Sequence, residues 1–354
     1  MMIDARAGTG IAGRHYFLAL IGAHPPVQTL RDLPALRAAV DALRSDGRPI
    51  ALVPTMGALH DGHMALVEEA RRHGRHVVVS IFVNPRQFGP NEDLDAYPRR
   101  EAKDAQLLQA AGVAILWAPS VDVMYPAGFA TNISVSGISE GLDGAARPGH
   151  FDGVATVVTK LFNQVRPDVA IFGEKDYQQL AVIRRFVADL DLPIEIVGLP
   201  TQRAEDGLAL SSRNAYLTED ERKKALALPR ALGEAKRQME RGDPVDGALA
   251  QAIATLSAHG FGPIDYITLC DATTLEPIHR LDRPYRSRSC LNASRGIRRV
   301  SRSPRSRSRP PRSQEFRSAG AIADHPVAAA PWPASSCSSR SSHDSRSGPA
   351  RRAA

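Results

Sequence analysis

The chain has only three cysteines in 354 residues, Cys270, Cys290 and Cys337, and they lie late and far apart. That spacing makes neither a tetrahedral metal site nor a disulfide framework, which fits a reducing compartment. No apolar run approaches the roughly 18 residues a membrane-crossing helix needs, so no membrane span is expected. The apolar stretch Tyr16–Gly22 is short and is followed by no clear small-residue cleavage site, so an export signal is not expected either. Aromatics are 5% of the chain, and none interleaves the Arg-rich run near the C-terminus, as a stacking surface for single-stranded nucleic acid would require. That C-terminal stretch is also poor in acids. From Pro284 to Ala354 there are 15 Arg against 3 acids, a net of +12 within a whole-chain +7, which leaves −5 for residues 1–283. Charge therefore gives no reason to read the main body as a nucleic-acid binder.

What is present is an alternation of strand-length and helix-length segments. Residues 1–26 carry neither period, and their Gly8-x-Gly10-x-x-Gly13 spacing lacks the preceding strand and following helix of a dinucleotide loop. From Val27 the texture changes. Leu30, Leu33, Leu36, Ala39, Val40 and Leu43 recur at helical spacing and stop at Asp46-Gly47. Strands are then expected at 49–53, 76–83, 113–117, 169–172 and 194–197, with helices at 62–73, 101–111, 154–165 and 178–190. Strands apolar throughout and alternating with helices imply an α/β, Rossmann-like parallel sheet with helices on both faces. A smaller C-terminal α+β unit is expected over residues 199–283, with helices at 219–241 and 245–259 and a strand at 264–269. The Arg/Ser/Pro-rich segment 284–354 is expected to form a disordered tail, because it has no period that could bury a core.

The polar motifs follow strands, where ligands bind in such folds. Pro54-Thr55-Met56-Gly57-Ala58-Leu59-His60-Asp61-Gly62-His63 follows the strand at 49–53. Its glycines let backbone approach a phosphate, and the helix that follows presents N–H groups and a positive dipole end. His60 and His63 can donate to phosphate oxygens as charge grows on a leaving pyrophosphate. Gly173-Glu174-Lys175-Asp176 follows the strand at 169–172. Lys175 can neutralise phosphate charge, and Asp176 is a hard oxygen ligand suited to Mg²⁺. Leu210-Ser211-Ser212-Arg213 places two hydroxyls and a guanidinium fork at the start of the smaller unit, as a mobile phosphate clamp would.

Together with SIFVNPRQF (80–88), RPGHFDGV (147–154), LFNQVRPD (161–168), FGEKDYQQL (172–180) and DGLALSSRNAYL (206–217), these motifs resemble the pantoate–β-alanine ligase family of HxGH nucleotidyltransferases. The likeness runs from about Val27 to Asp282. It implies an ATP site at Met56 to His63, Gly173 to Asp176, Gln202 and Leu210 to Arg213, with His63 at the position of a proton donor. It implies pantoate and β-alanine contacts at Gln87 and Gln179, whose amides can both donate and accept, with Asn84, Arg147 and His150 lining the same cavity. ATP as co-substrate, Mg²⁺, a cytoplasmic homodimer, and no nucleic-acid or membrane partner follow from the same resemblance. The implied reaction makes pantoyl adenylate and pyrophosphate, then pantothenate and AMP.

Three departures stand out. Arg86 replaces the family's usual Met and is expected either to disturb pantoate packing or to point to solvent. Gln202 replaces a usually aliphatic residue near the adenine. After Arg283 the apolar strand that should finish the second domain gives way to Arg, Ser and Pro, which suggests a reading-frame change near Pro284. Three rival readings are another HxGH transferase with a phosphorylated acceptor, an inactive nucleotide-binding relative, and an RNA-binding protein that acts through the basic tail.

Overall fold

A computed structural model describes residues 26–73, 76–90 and 92–281, together with the backbone of 289–294. The expectations for residues 1–25 and for most of the tail lie outside the described residues. In chain order the elements are β1 (Gln28–Leu30), α1 (Leu33–Arg44), β2 (Ile50–Thr55), α2 (Asp61–Arg72), β3 (His76–Ile81), α3 (Glu101–Ala110), β4 (Ile115–Trp117), α4 (Val121–Met124), α5 (Asp143–Ala146), α6 (His150–Val165), β5 (Val169–Gly173), α7 (Tyr177–Asp189) and β6 (Glu195–Leu199). There follow α8 (Glu219–Ala225), α9 (Ala227–Glu240), α10 (Val245–Ala258), β7 (Tyr266–Asp271) and β8 (Ser289–Ser294).

Strands β1 to β6 form one parallel sheet in the order β1-β4-β3-β2-β5-β6. Side chains alternate across it, as the two-residue strand period requires. Ile50 and Leu52 of β2 and Val78 of β3 join Leu36, Val40, Phe162 and Phe186 in a core under α1, α6 and α7. Ala51, Val53, Val77 and Val79 enter a separate core under α2 and α3, with Leu66, Val67 and Leu108. Both faces are covered, which explains why the strands read as unbroken apolar runs. The chain steps outward from β2 to β3 and β4, then returns to place β5 on the other side of β2. The crevice at the carboxyl ends of β2 and β5 is therefore the topological switch point, where open α/β sheets bind ligands.

A third core belongs to α9, α10 and β7, through Ala231, Ala235, Met239, Ala252, Leu256 and Leu269. The single helix expected over 219–241 is broken at Leu226. Pro229 causes the break: its ring conflicts with the carbonyl of Ala225 four residues earlier, and it has no N–H to donate. The expectation that pattern ends at Arg283 is also corrected. Ser289–Ser294 pairs antiparallel with β7, satisfying an edge that would otherwise expose its N–H and C=O groups.

Candidate active site

The motif after β2 folds into a turn that caps α2 with its own histidines. His60 is the N-cap in extended backbone, and its Nδ1 accepts the Gly62 N–H at 3.1 Å. His63 Nδ1 accepts the His60 N–H at 3.3 Å, completing a reciprocal capping box. Because both Nδ1 atoms receive backbone protons, both neutral rings carry their hydrogen on Nε2. The rings pack together with centroids 4.1 Å apart. Burial and the Lys175 charge hold His60 below the usual imidazole range. Burial, His60 and Lys175 lower His63 to about 3.

One sequence expectation is narrowed here: the first-turn N–H of Gly62 is taken by His60, while the two ring Nε2–H groups remain as donors. The glycines also have a local packing role. Gly57 adopts φ +83, and a Cβ there would lie 3.0 Å from Ile81 Cγ2. A Cβ at Gly62 would sit 2.9 Å from the His60 ring, so this glycine makes room for the histidine.

One cavity of about 260 Å³ opens at the switch point. Of the residues singled out from the sequence, Met56, His60, Gly62, His63, Gly173, Lys175, Asp176, Gln202 and Leu210 to Arg213 line it at one end. Asn84, Gln87, Arg147, His150 and Gln179 line it as well. Gly57, Ala58, Leu59, Asp61 and Glu174 are not on its wall. Lys175 Nζ pairs with Asp176 Oδ1 at 2.8 Å. Burial pushes the Asp176 carboxyl up, but Lys175 and Arg213 more than offset this and leave it below the usual carboxylate range. The Gln202 side-chain Nε2 donates to the Pro200 carbonyl at 2.8 Å, and the Gln202 backbone carbonyl accepts the Leu210 N–H at 2.9 Å.

The segment after β6 reaches the β2 turn directly, since Ser212 Oγ donates to the Ala58 carbonyl at 3.1 Å. Arg213 makes two bonds to Asp93, Nε to Oδ2 and Nη2 to Oδ1, both at 2.9 Å, and its guanidinium lies over Tyr97. Arg147 is likewise held by Glu92, with Nε donating to Oε1 at 2.8 Å. Its Nη1 lies 3.1 Å from His150 Nε2, while His150 Nδ1 approaches the Gln87 carbonyl at 2.8 Å. Burial and the Arg147 charge lower His150.

The polarity of Gln87 is set by its neighbours. Asn84 Oδ1 accepts the Arg86 N–H and the Tyr125 hydroxyl, and Asn84 Nδ2 donates to the Gly153 carbonyl at 3.1 Å. Two backbone groups thus fix the Asn84 amide, which then donates to Gln87 Oε1 at 3.1 Å. Gln87 Nε2 donates to Met56 Sδ, and its Oε1 has one of two acceptor positions taken by Asn84, which leaves the amide able both to donate and to accept. Arg86 takes the second of its two expected courses. It is exposed, stacks over Tyr125 and Phe129 at 5.6 and 5.5 Å, bonds Asn132 and is absent from the cavity wall.

Sequence reasoning missed Glu92, Asp93, Tyr97, Asp104 and Tyr125. Their signal was faint: acids and tyrosines in a loop and a helix, with partners far along the chain.

A parallel sheet whose switch point carries a His-x-Gly-His helix cap beside Lys and Ser/Arg clamps defines an HxGH nucleotidyl-transfer fold. The family described as Pantoate-beta-alanine ligase matches residues 28–297, which extends the likeness past Asp282. A pantothenate synthetase from Rhizorhabdus wittichii is 68% identical over 260 residues, covering 73% of this chain and 92% of that protein. Among solved structures, the pantothenate synthetase of Thermus thermophilus is 50% identical with a TM-score of 0.69, covering 72% of this chain and 91% of that one. The pantoate-beta-alanine ligase of Francisella tularensis, solved in complex with Beta-gamma ATP and Beta-alanine, is 35% identical with a TM-score of 0.60 over 68% of this chain and 88% of that one. The chain belongs to the pantoate–β-alanine ligase family.

Proposed function

We propose that the chain condenses pantoate with β-alanine at the expense of ATP. A pantoate carboxylate oxygen attacks the α-phosphorus and pyrophosphate leaves. The β-alanine amine then attacks the acyl carbon of the adenylate, AMP leaves, and pantothenate is formed. The observation that carries this reading is the pair of neutral Nε2–H donors on His60 and His63, in the same cavity as the Gln87 amide that Asn84 orients. Neutral donors can strengthen their bonds to phosphate oxygens as negative charge builds, with no proton leaving the ring. The Gln87 NH₂ suits a carboxylate or hydroxyl oxygen of pantoate, with Gln179 as its partner. Lys175 and Arg213 serve the departing pyrophosphate.

Among the described residues no group of three His, Cys, Asp or Glu forms a metal cage. A lone, low-pKa Asp176 on the cavity wall fits instead a Mg²⁺ that keeps water and phosphate oxygens as its other ligands. Such an ion would neutralise triphosphate charge. The unit from residue 199 onward acts in this reading as a lid that excludes water from the adenylate. A homodimer in the cytoplasm completes the proposal; no helix among the described residues is long and apolar enough to cross a membrane. Transfer to a phosphorylated acceptor would need an unpaired cation beside Gln87. Arg86 faces away and Arg147 is paired with Glu92, so that rival is disfavoured.

The test is pyrophosphate release from ATP and Mg²⁺ with pantoate, with and without β-alanine. Pantoate-dependent release, with AMP and pantothenate accumulating when β-alanine is added, is the expected result. Release that ignores pantoate would sink the reading.

A further inference from the structure

Asp104 on α3 is 1% exposed, yet neither its sequence context nor the reaction above gives it a task. Its Oδ2 accepts the Ala58 N–H at 2.8 Å and its Oδ1 accepts the Leu59 N–H at 2.9 Å. Both oxygens are thus committed to neutral backbone donors rather than to a cation. Burying a carboxylate on such partners is expensive, and an apolar side chain like nearby Leu108 would serve packing better.

The turn it holds is itself disfavoured. Gly57 and Ala58 are consecutive left-handed residues, at φ +83 and +51, and alanine pays a steric penalty there. His60 begins the cap of α2 two residues after Ala58, so a shift in this turn moves both histidine rings. The turn is gripped from the other side by Ser212, whose hydroxyl donates to the Ala58 carbonyl. Successive N–H groups around a left-handed residue form a concavity that ordinarily takes an anion. Here an internal carboxylate fills it.

We propose that Asp104 is a positioning residue for adenylation. By occupying the Ala58–Leu59 concavity it fixes where His60 enters α2, and it keeps those N–H groups from drawing a phosphate away from the ring Nε2–H donors. The proposal rests on the adenylation reading above.

The experiment combines two measurements on the full chain. In the first, Asp104→Asn keeps the shape but turns an NH₂ toward one of the two N–H groups. Pantoate-dependent ATP–pyrophosphate exchange should lose about 10²-fold in kcat, the scale of a misplaced reacting geometry, while the pantoate KM stays within about twofold. A merely structural role would instead lower the apparent kcat only in parallel with the folded fraction, measured by circular dichroism, leaving kcat per folded molecule at the wild-type value. Wild-type kcat in the variant, or that parallel loss, overturns the proposal.

In the second, backbone amide exchange is followed at Ala58 and Leu59 in the wild-type protein, with and without ATP. Protection that is present before nucleotide and unchanged by it is expected. Rapid exchange, or protection that appears only with ATP, overturns the proposal. This second measurement decides the matter if the variant does not fold. It needs no turnover, so a failure of the adenylation reading would be seen separately.

Discussion

His63 Nδ1 accepts the backbone N–H of His60, and His60 Nδ1 accepts that of Gly62, so the helix cap and the proposed chemistry share the same two rings. Capping normally falls to Ser, Thr, Asp or Asn. Using histidine for it fixes the tautomer, aligns both Nε2–H groups by backbone geometry, and removes Nδ1 from titration while the cap is intact. The resemblance to the family assigns His63 the role of proton donor; in the proposed reaction it donates a hydrogen bond that is kept.

A pH prediction follows. The folded pKa values of His60, His63 and His150 are all lowered, His63 to about 3. Below the unfolded value of 6.5 the unfolded chain therefore binds more protons than the folded one. The stability these rings contribute is complete above that value and is lost on acidification, for His63 across the window from 6.5 to about 3. Histidine Cε1 resonances followed by NMR should show no titration of His63 near neutrality. A midpoint near 6.5 in the folded protein would defeat the assignment.

Two glycines separate damage to the site from damage to the fold. Gly62→Ala drives a Cβ into the far edge of the His60 ring, which can swing away. The cap is then lost, at about 1 kcal/mol of stability, while kcat falls on the order of 10²-fold because the ring is displaced. Gly153→Ala meets unyielding backbone, with its Cβ 2.3 Å from the Arg86 carbonyl oxygen. It should cost about 1–3 kcal/mol or more and reduce soluble protein. Thermal melts beside initial rates distinguish the two; equal losses of stability would refute the contrast.

The sheet was legible because Ile50–Val53 and Val77–Val79 face two cores, so burial on both sides writes itself as a continuous apolar run. The cavity was legible because its residues cluster just after strand ends. What escaped reading depends on contacts between distant segments. Asp104 meets Ala58, Asp93 meets Arg213 and Tyr125 meets Asn84 only after the sheet assembles. Strand β8 escaped because an Arg/Ser-rich neighbourhood hides a six-residue segment whose pairing with β7 is a backbone property. The packing of Gly57 against Ile81 and of Gly62 against His60 was not legible, because a glycine tells that space is needed, not which atom needs it.

Tyr125 donates to Asn84 Oδ1 at 2.8 Å, and burial pushes its phenol up to about 12, so it remains a donor throughout the working range. Tyr125→Phe removes one of the bonds that hold the Asn84 amide and, through it, Gln87. The pantoate KM should rise about three- to tenfold, the worth of a single hydrogen bond, with the ATP KM unmoved. Arg86→Met, which removes a guanidinium that touches the Tyr125 and Phe129 rings and Asn132 outside the cavity wall, should leave the pantoate KM within about twofold. Steady-state kinetics with each substrate varied checks both. A larger effect from Arg86→Met than from Tyr125→Phe would show that the cation reaches the cavity after all.

Asp93 commits both oxygens to Nε and Nη2 of Arg213, which leaves Nη1 without a hydrogen-bond partner among the described residues, on a side chain that lines the cavity. Either the acid aims Arg213 at the triphosphate or it competes with the triphosphate for it. The fork geometry favours aiming: a planar guanidinium can accept a carboxylate along one edge and still donate from the other. The Arg213 stack on Tyr97 fixes the plane as well. Asp93→Asn should therefore raise the ATP KM on the order of tenfold, as should Arg213→Lys, which keeps the charge but not the fork. In the double variant the two effects should combine to less than their product, because each removes the same alignment. An ATP KM lower than wild type in Asp93→Asn would mean that the pair is a competitor to be broken on binding, and the aiming role would fall.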